Sequence, residues 1–268
     1  MKALGRIYNF LIYVFLYAPL LVMVFFSFNE SKSTSVFAGF STKWYVELFS
    51  DSDTLTALRN TLVLALLSAV IATALGTVAA VGIYRMRSRA VKNTVMNVTN
   101  IPMMNPDIVT GVSLMLLFVF AGRLLGSANS LSFGTLLIAH VTFNLPYVIL
   151  NVLPKLRQTD PHLMEAAEDL GCTPFKAFIE AVVPSITPGI FSGFLMAFTL
   201  SIDDFVISYY TVGSDFQTLP LKIYAMTRKN VKPDMYALSS LIFVTILVLL
   251  ILINVAQAKS EKKSNSFK

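Results

Sequence analysis

The 268 residues are 55% hydrophobic and only 13% charged, with 21 Phe, whereas soluble domains carry about 25% charged residues. Too little polar cover is present for a water-soluble fold, and so aromatic a chain is not a disordered one. The net charge of +6 suits loops that face anionic lipid, and no basic stripe interleaved with aromatics marks a nucleic-acid surface.

A helix crossing about 30 Å of hydrocarbon needs about 20 apolar residues. Six stretches reach that length, at about 7–28, 61–84, 94–122, 124–153, 181–202 and 235–258. The first follows Met1-Lys2-Ala3-Leu4-Gly5-Arg6, as a signal peptide would. It outlasts a signal h-region and ends without an A-x-A-like site, so it is read as a retained span. Pro102, Pro106 and Asp107 interrupt the third run; His140 and Pro146 lie in the fourth. Neither a repeat nor a low-complexity linker divides the chain, which reads as one transmembrane domain over 1–268. Lys and Arg favour the side shared by the two ends, with Arg85, Arg87, Arg89 and Lys92 the densest group. Both termini are therefore expected in the cytoplasm.

Between the fourth and fifth spans, the loop 159–180 reads as a short helix with both ends marked. Asp160 suits the cap, Pro161 the first helical position, and Gly171 the left-handed residue past the end. Thr173-Pro174 opens a second helix in the same way. Leu163, Met164 and Ala167 fall on one face, while Glu165, Glu168 and Asp169 make the remainder acidic. Ten residues are marginal as a helix alone in water, so this one docks onto its own membrane domain or onto a partner.

The spacing of this loop carries a resemblance. Glu165-Ala166-Ala167, three residues, Gly171, nine residues, then Ala181-Val182-Val183-Pro184 resembles the EAA loop of the permeases of bacterial ABC importers. That pattern is EAA, three residues, Gly, nine residues, Ile, any residue, Leu, Pro; here Ala181 and Val183 stand at the Ile and Leu positions. Further blocks are similar to the spermidine/putrescine importer permeases of the PotC type. They are Phe40-Ser41-Thr42-Lys43-Trp44-Tyr45, Asn105-Pro106-Asp107-Ile108-Val109, Phe198-Thr199-Leu200-Ser201-Ile202-Asp203-Asp204 and Leu219-Pro220-Leu221-Lys222-Ile223-Tyr224. The resemblance implies an all-α, six-span permease of the type I ABC importer architecture in a bacterial cytoplasmic membrane. It also implies a coupling helix seated in a cytoplasmic ATPase dimer, with Glu165, Ala166, Ala167 and Gly171 at the contact. A second homologous permease and an extracytoplasmic polyamine-binding protein complete the implied assembly.

The chain contains no G-x-x-x-x-G-K-[ST] and no Gly-Lys pair, so it has no P-loop for ATP phosphates. No Ser-His-Asp or Cys-His set is evident. Cys172 is the only cysteine, and with two distant histidines neither a disulfide nor a zinc site is expected. The chain is expected to hold no cofactor and to be no enzyme itself, with ATP bound by a partner subunit.

Three acids lie where acid is costly. Asp107 is the only charge between Lys92 and Arg123. In a helix from near Asn93 it would stand ~21 Å deep, where an ionised Asp costs roughly 2.5–3.5 kcal/mol unless it faces water or a cation. Irregular backbone at the prolines would line a cavity; the alternative is that Asp107 caps a half-helix starting after Pro106. Asp203 and Asp204 come about 26 Å along the fifth run, near its outer rim. Either they begin a solvated loop, or two repelling carboxylates await a cation. A linear di- or tri-ammonium ion supplies several charges at once. Asp107, Asp203 and Asp204 are thus the candidate substrate pathway. Tyr209, Tyr210, Tyr224 and Trp44 would add aromatic faces or serve as interfacial anchors. His140 is read as a hydrogen-bonding residue of the bundle interior. Two rival functions remain: the same fold carrying iron, thiamine or an anion, and a self-sufficient secondary carrier. An anion would favour cations within the spans, and a carrier has no need of the capped acidic loop.

Overall fold

The computed structural model describes residues 2–31, 36–126, 130–229, 235–248 and 251. Apart from an isolated antiparallel bridge between Asn29 and Phe40, the regular structure of the described residues is helical. In order these are α1 (Lys2–Phe26), α2 (Lys43–Ser50), α3 (Ser52–Arg85), α4 (Arg89–Met104), α5 (Asp107–Leu124) and α6 (Phe133–Gln158). They continue with α7 (Leu163–Asp169), α8 (Pro174–Ala177), α9 (Val183–Asp203), α10 (Val206–Thr211) and α11 (Leu219–Lys229), then α12 (Met235–Val248). Among the described residues, five helices are long and apolar enough to cross a membrane: Tyr8–Phe26, Ser52–Arg85, Asp107–Leu124, Phe133–Gln158 and Pro174–Asp203. The sixth expected span, 235–258, lies partly outside the described residues, and its described part is the shorter α12.

Proline and glycine set the main departures from the expected spans. The run at 94–122 is two helices, parted at Pro106, which has no amide to donate and disfavours α conformation in the residue before it. Asn105 accordingly turns to ψ 142°, and Asp107 opens α5. The run at 124–153 starts later, at Phe133. Leu125 and Gly126 close α5, Gly126 with φ +69°, and Ser132 begins α6, its amide donating to the Thr135 hydroxyl at 2.8 Å. Pro102, Pro146, Pro154 and Pro188 are accommodated inside helices.

The described residues divide into two units, those of 2–58 with 222–251, and those of 59–221. In the first, Trp44 is 4% exposed and its indole donates to the Asn29 carbonyl at 2.6 Å. The Asn29 side chain in turn holds the loop, through Val36 O at 2.8 Å and Ala38 N at 2.9 Å. Phe28 and Phe40 stack beside it. Among the described residues no side chain in the membrane-length part of α1 is buried, and most of its Phe and Tyr side chains are exposed.

In the second unit, α6 packs along α9, with Ala69, Ala72 and Ala80 of α3 in the same core as Val148, Val152 and Ile186. Close approach here needs small residues, since lipid tails provide no hydrophobic drive between helices. A Cβ on Gly76 would fall 2.6 Å from Val148 Cγ1, and one on Gly193 3.3 Å from Val148 Cα. One valine therefore fills both notches.

Candidate functional site

The loop expected to couple to a partner is built by its caps. Thr159 leaves α6 in extended conformation. The Asp160 carboxylate then accepts the His162 amide at 2.9 Å, a turn that starts α7 at Leu163. The helix thus begins two residues beyond Pro161. At its other end, Gly171 N donates to Glu168 O and Cys172 N to Ala167 O, at 2.9 and 3.1 Å, with Gly171 at φ +88°. This pair of bonds is a Schellman closure, the expected left-handed exit. Thr173 and Pro174 open α8 as N-cap and first residue. A π-turn, Phe178–Val182, joins α8 to α9.

The apolar face expected on α7 is turned inward. Leu163, Met164 and Ala167 are half-buried, and the Arg85 guanidinium donates to Met164 Sδ at 3.0 Å while lying over the Phe178 ring at 5.8 Å. Glu165, Ala166, Glu168, Asp169 and Gly171 face outward, and Leu170 is 87% exposed. His162 Nδ1 lies 3.0 Å from Glu165 Oε2, and the carboxylate raises the imidazole above its ordinary pKa.

The three candidate acids stand in different surroundings. Asp107 is exposed in the first turn of α5, where the helix dipole suits its charge, and within electrostatic reach of the Tyr147 phenol. Asp203 is exposed at the last residue of α9. The Asp204 side chain, beside it in sequence, is only 8% exposed. Its carboxylate accepts the Ile207 amide at 3.2 Å and the Ser208 amide at 2.8 Å, and so caps α10. His140, 1% exposed, brings Nε2 to 3.4 Å from Asp204 and 3.0 Å from Ser208 Oγ. The interior role expected for His140 is the one it has. One turn along α6, Asn144 donates to Ser201 Oγ at 2.7 Å, and Ser201 bonds Ser68 at 2.9 Å.

The expected aromatics are divided. Tyr209 and Tyr210 follow the acids on α10, edge to face at 5.3 Å, with Phe205 against Tyr209. Tyr210 also seats on Gly111 of α5. Trp44 is instead a buried anchor of its own loop, and Tyr224 lies beneath the Arg228 guanidinium. Ser68, Asn144, Ser201 and Ser208 escape a reading by spacing, although polar Ser and Asn within apolar helices are the signal that marks such contacts. No group of His, Cys, Asp and Glu suited to a metal occurs among the described residues.

Residues 72–265 match the profile of the family described as "Binding-protein-dependent transport system inner membrane component". The chain is 41% identical over 230 residues to the putrescine transport system permease protein PotI of Escherichia coli (strain K12), covering 86% of this chain and 82% of that one. It is 38% identical over 240 residues to the spermidine/putrescine transport system permease protein PotC of the same strain, covering 90% and 88%. The crystal structure of a bacterial ABC transporter involved in the import of the acidic polysaccharide alginate matches with a TM-score of 0.72 over 96% of this chain and 95% of that chain. At 15% identity this last likeness concerns the fold alone.

Proposed function

Because the chain belongs to the family of binding-protein-dependent transport system inner membrane components, we propose that it is a permease subunit of an ATP-driven polyamine importer, passing putrescine and spermidine inward. It forms the route with a second homologous permease and receives substrate from an extracytoplasmic polyamine-binding protein. It lies in the bacterial cytoplasmic (inner) membrane with six spans and both termini cytoplasmic. A cytoplasmic ATPase dimer binds and hydrolyses the ATP; this chain, without a P-loop, only responds to it.

The observation that carries the reading is the extended likeness to two polyamine permeases. The geometry supplies a mechanism consistent with it. On the cytoplasmic side, α7 offers Glu165, Ala166, Gly171 and Leu170 to the ATPase, while Met164 ties it back to Arg85 at the end of α3. Movement of α7 is thereby passed into two membrane helices, α3 directly and α9 through the π-turn. Along the route, Asp107 and Asp203 present carboxylates to the ammonium groups of the substrate. Polyamine methylenes meet the faces of Tyr209 and Tyr210.

The test is uptake of radiolabelled putrescine and spermidine into vesicles carrying the whole assembly. Uptake should require ATP, the ATPase, the second permease and the binding protein. Uptake by this chain without the ATPase would make it a carrier, and transport of iron or thiamine in place of polyamine would reassign the substrate.

A further inference from the structure

The backbone leaves α9 at Asp203 and enters α10 at Val206, and α6 grips both sides of this break. Asn144 holds the last turn of α9 through Ser201. His140, four residues earlier and so on the same face of α6, holds the first turn of α10 through Asp204 and Ser208. Ser68 adds α3 to the grip. These side chains are buried. Two of their polar atoms, His140 Nδ1 and Asn144 Oδ1, are buried without a hydrogen-bond partner among the described residues. With Nδ1 unpartnered, the imidazole proton belongs on Nε2, where it reaches Asp204 and Ser208. A buried unpaired polar atom destabilises the fold, so an apolar contact would hold the helices together at lower cost. What the polar grip adds is direction, since hydrogen bonds fix angle and register where apolar packing does not.

We infer that His140 is a positioning residue. By holding Asp204 on the α10 amides it fixes the helix break, and with it the direction of the neighbouring Asp203 carboxylate. Of the two adjacent acids, Asp203 alone presents charge to substrate, and Asp204 sets where it points. This rests on the pathway reading of Asp203 given above.

The test uses the complete importer in vesicles. In a Cys172→Ser background, Asp203→Cys introduces a single thiol whose reaction rate with a cationic thiol reagent reports the placement of position 203. Adding His140→Leu should change that rate about tenfold, whereas His140→Gln, which keeps a donor, should stay within about twofold. In the otherwise native chain, His140→Leu should lower polyamine uptake, and should lower it no further once Asp203→Asn is present. An unchanged thiol rate with His140→Leu, or uptake losses that multiply in the double variant, overturns the inference. If His140→Leu does not assemble, Ser208→Ala removes one hydroxyl of the same grip and takes its place. Should Asp203→Asn alone leave uptake intact, the pathway reading fails, while the thiol rate still decides the role of His140.

Discussion

The amide of Cys172 reaches back over Gly171 to the carbonyl of Ala167 at 3.1 Å, and this bond fixes how the chain leaves α7. The closure requires φ +88° at Gly171, a value that penalises any residue with a Cβ. Space is not the constraint, because a Cβ on Gly171 would meet nothing within 4 Å. The glycine is needed for its backbone angle, and the surface above it is left open.

Gly171→Asp should therefore cost about 1 kcal/mol or more in local stability of α7, without affecting membrane insertion. Gly171→Asn should cost less, since Asn tolerates the left-handed region. The expected order in ATPase recovered with the purified permease, and in ATP-driven uptake, is Gly, then Asn, then Asp. Equal recovery and uptake for all three would separate this closure from coupling.

Much of this loop is legible because caps are local. Gly171, Thr173 and Pro174 act within a few residues of themselves, and the face of Leu163, Met164 and Ala167 follows from helical spacing alone. The start of α7 is shifted because Asp160 spends its carboxylate on a turn. The α4–α5 break is also readable, from Pro106. What spacing does not give is the difference between Asp203 and Asp204. They are neighbours of one residue type, and which is buried depends on His140, on a helix more than sixty positions earlier. Burial of Trp44 likewise depends on Asn29, across a loop. Partners distant in sequence decide these roles.

The contact between α3 and α6 should be sensitive to one atom. Gly76→Val places its Cβ on Val148, and overpacking of this kind costs about 1–3 kcal/mol. Val148→Ala removes Cγ1, the nearest atom in the way, but keeps Cβ at 2.8 Å, so the double variant should recover part of the loss and melt above Gly76→Val alone. Thermal unfolding of the purified permease measures this. Strict additivity of the two losses would mean that the helices part at this point instead of sharing the strain.

An ion pair in the first unit predicts a pH dependence. Lys222 Nζ lies 2.8 Å from Asp51 Oδ2, with the lysine 12% and the aspartate 43% exposed. The ammonium and the Thr54 hydroxyl lower the Asp51 pKa from 3.8 to about 2. A lowered carboxylate pKa stabilises the fold above its ordinary value, and that contribution fades as pH falls through the lowered one. The melting difference between the native protein and Asp51→Asn should be the same at pH 7 and pH 5, and shrink as pH falls below about 4. With the acid so exposed, the difference should stay below about 1 kcal/mol. Asp51→Asn should harm more than Lys222→Met, because it strands the better buried charge.

The last prediction concerns the acids themselves. Asp107→Asn and Asp203→Asn keep size and hydrogen-bonding capacity while removing charge. If the carboxylates meet ammonium groups in a partly desolvated route, losing one contact costs about 1.5–3 kcal/mol, a roughly ten- to hundredfold fall in uptake. Stability should hardly change. At Asp107 only the interaction with the α5 dipole is lost, about 0.3–1 kcal/mol, and removing an acid from a membrane span relieves insertion cost. Asp204→Asn should behave differently: its charge serves two backbone amides and His140, so its loss should lower stability as well as uptake. Uptake across a range of salt, with melting measured on the same preparations, separates the two patterns. Wild-type uptake in both Asp107→Asn and Asp203→Asn, at every salt concentration, would leave these residues as helix-end acids and return the polyamine assignment to likeness alone.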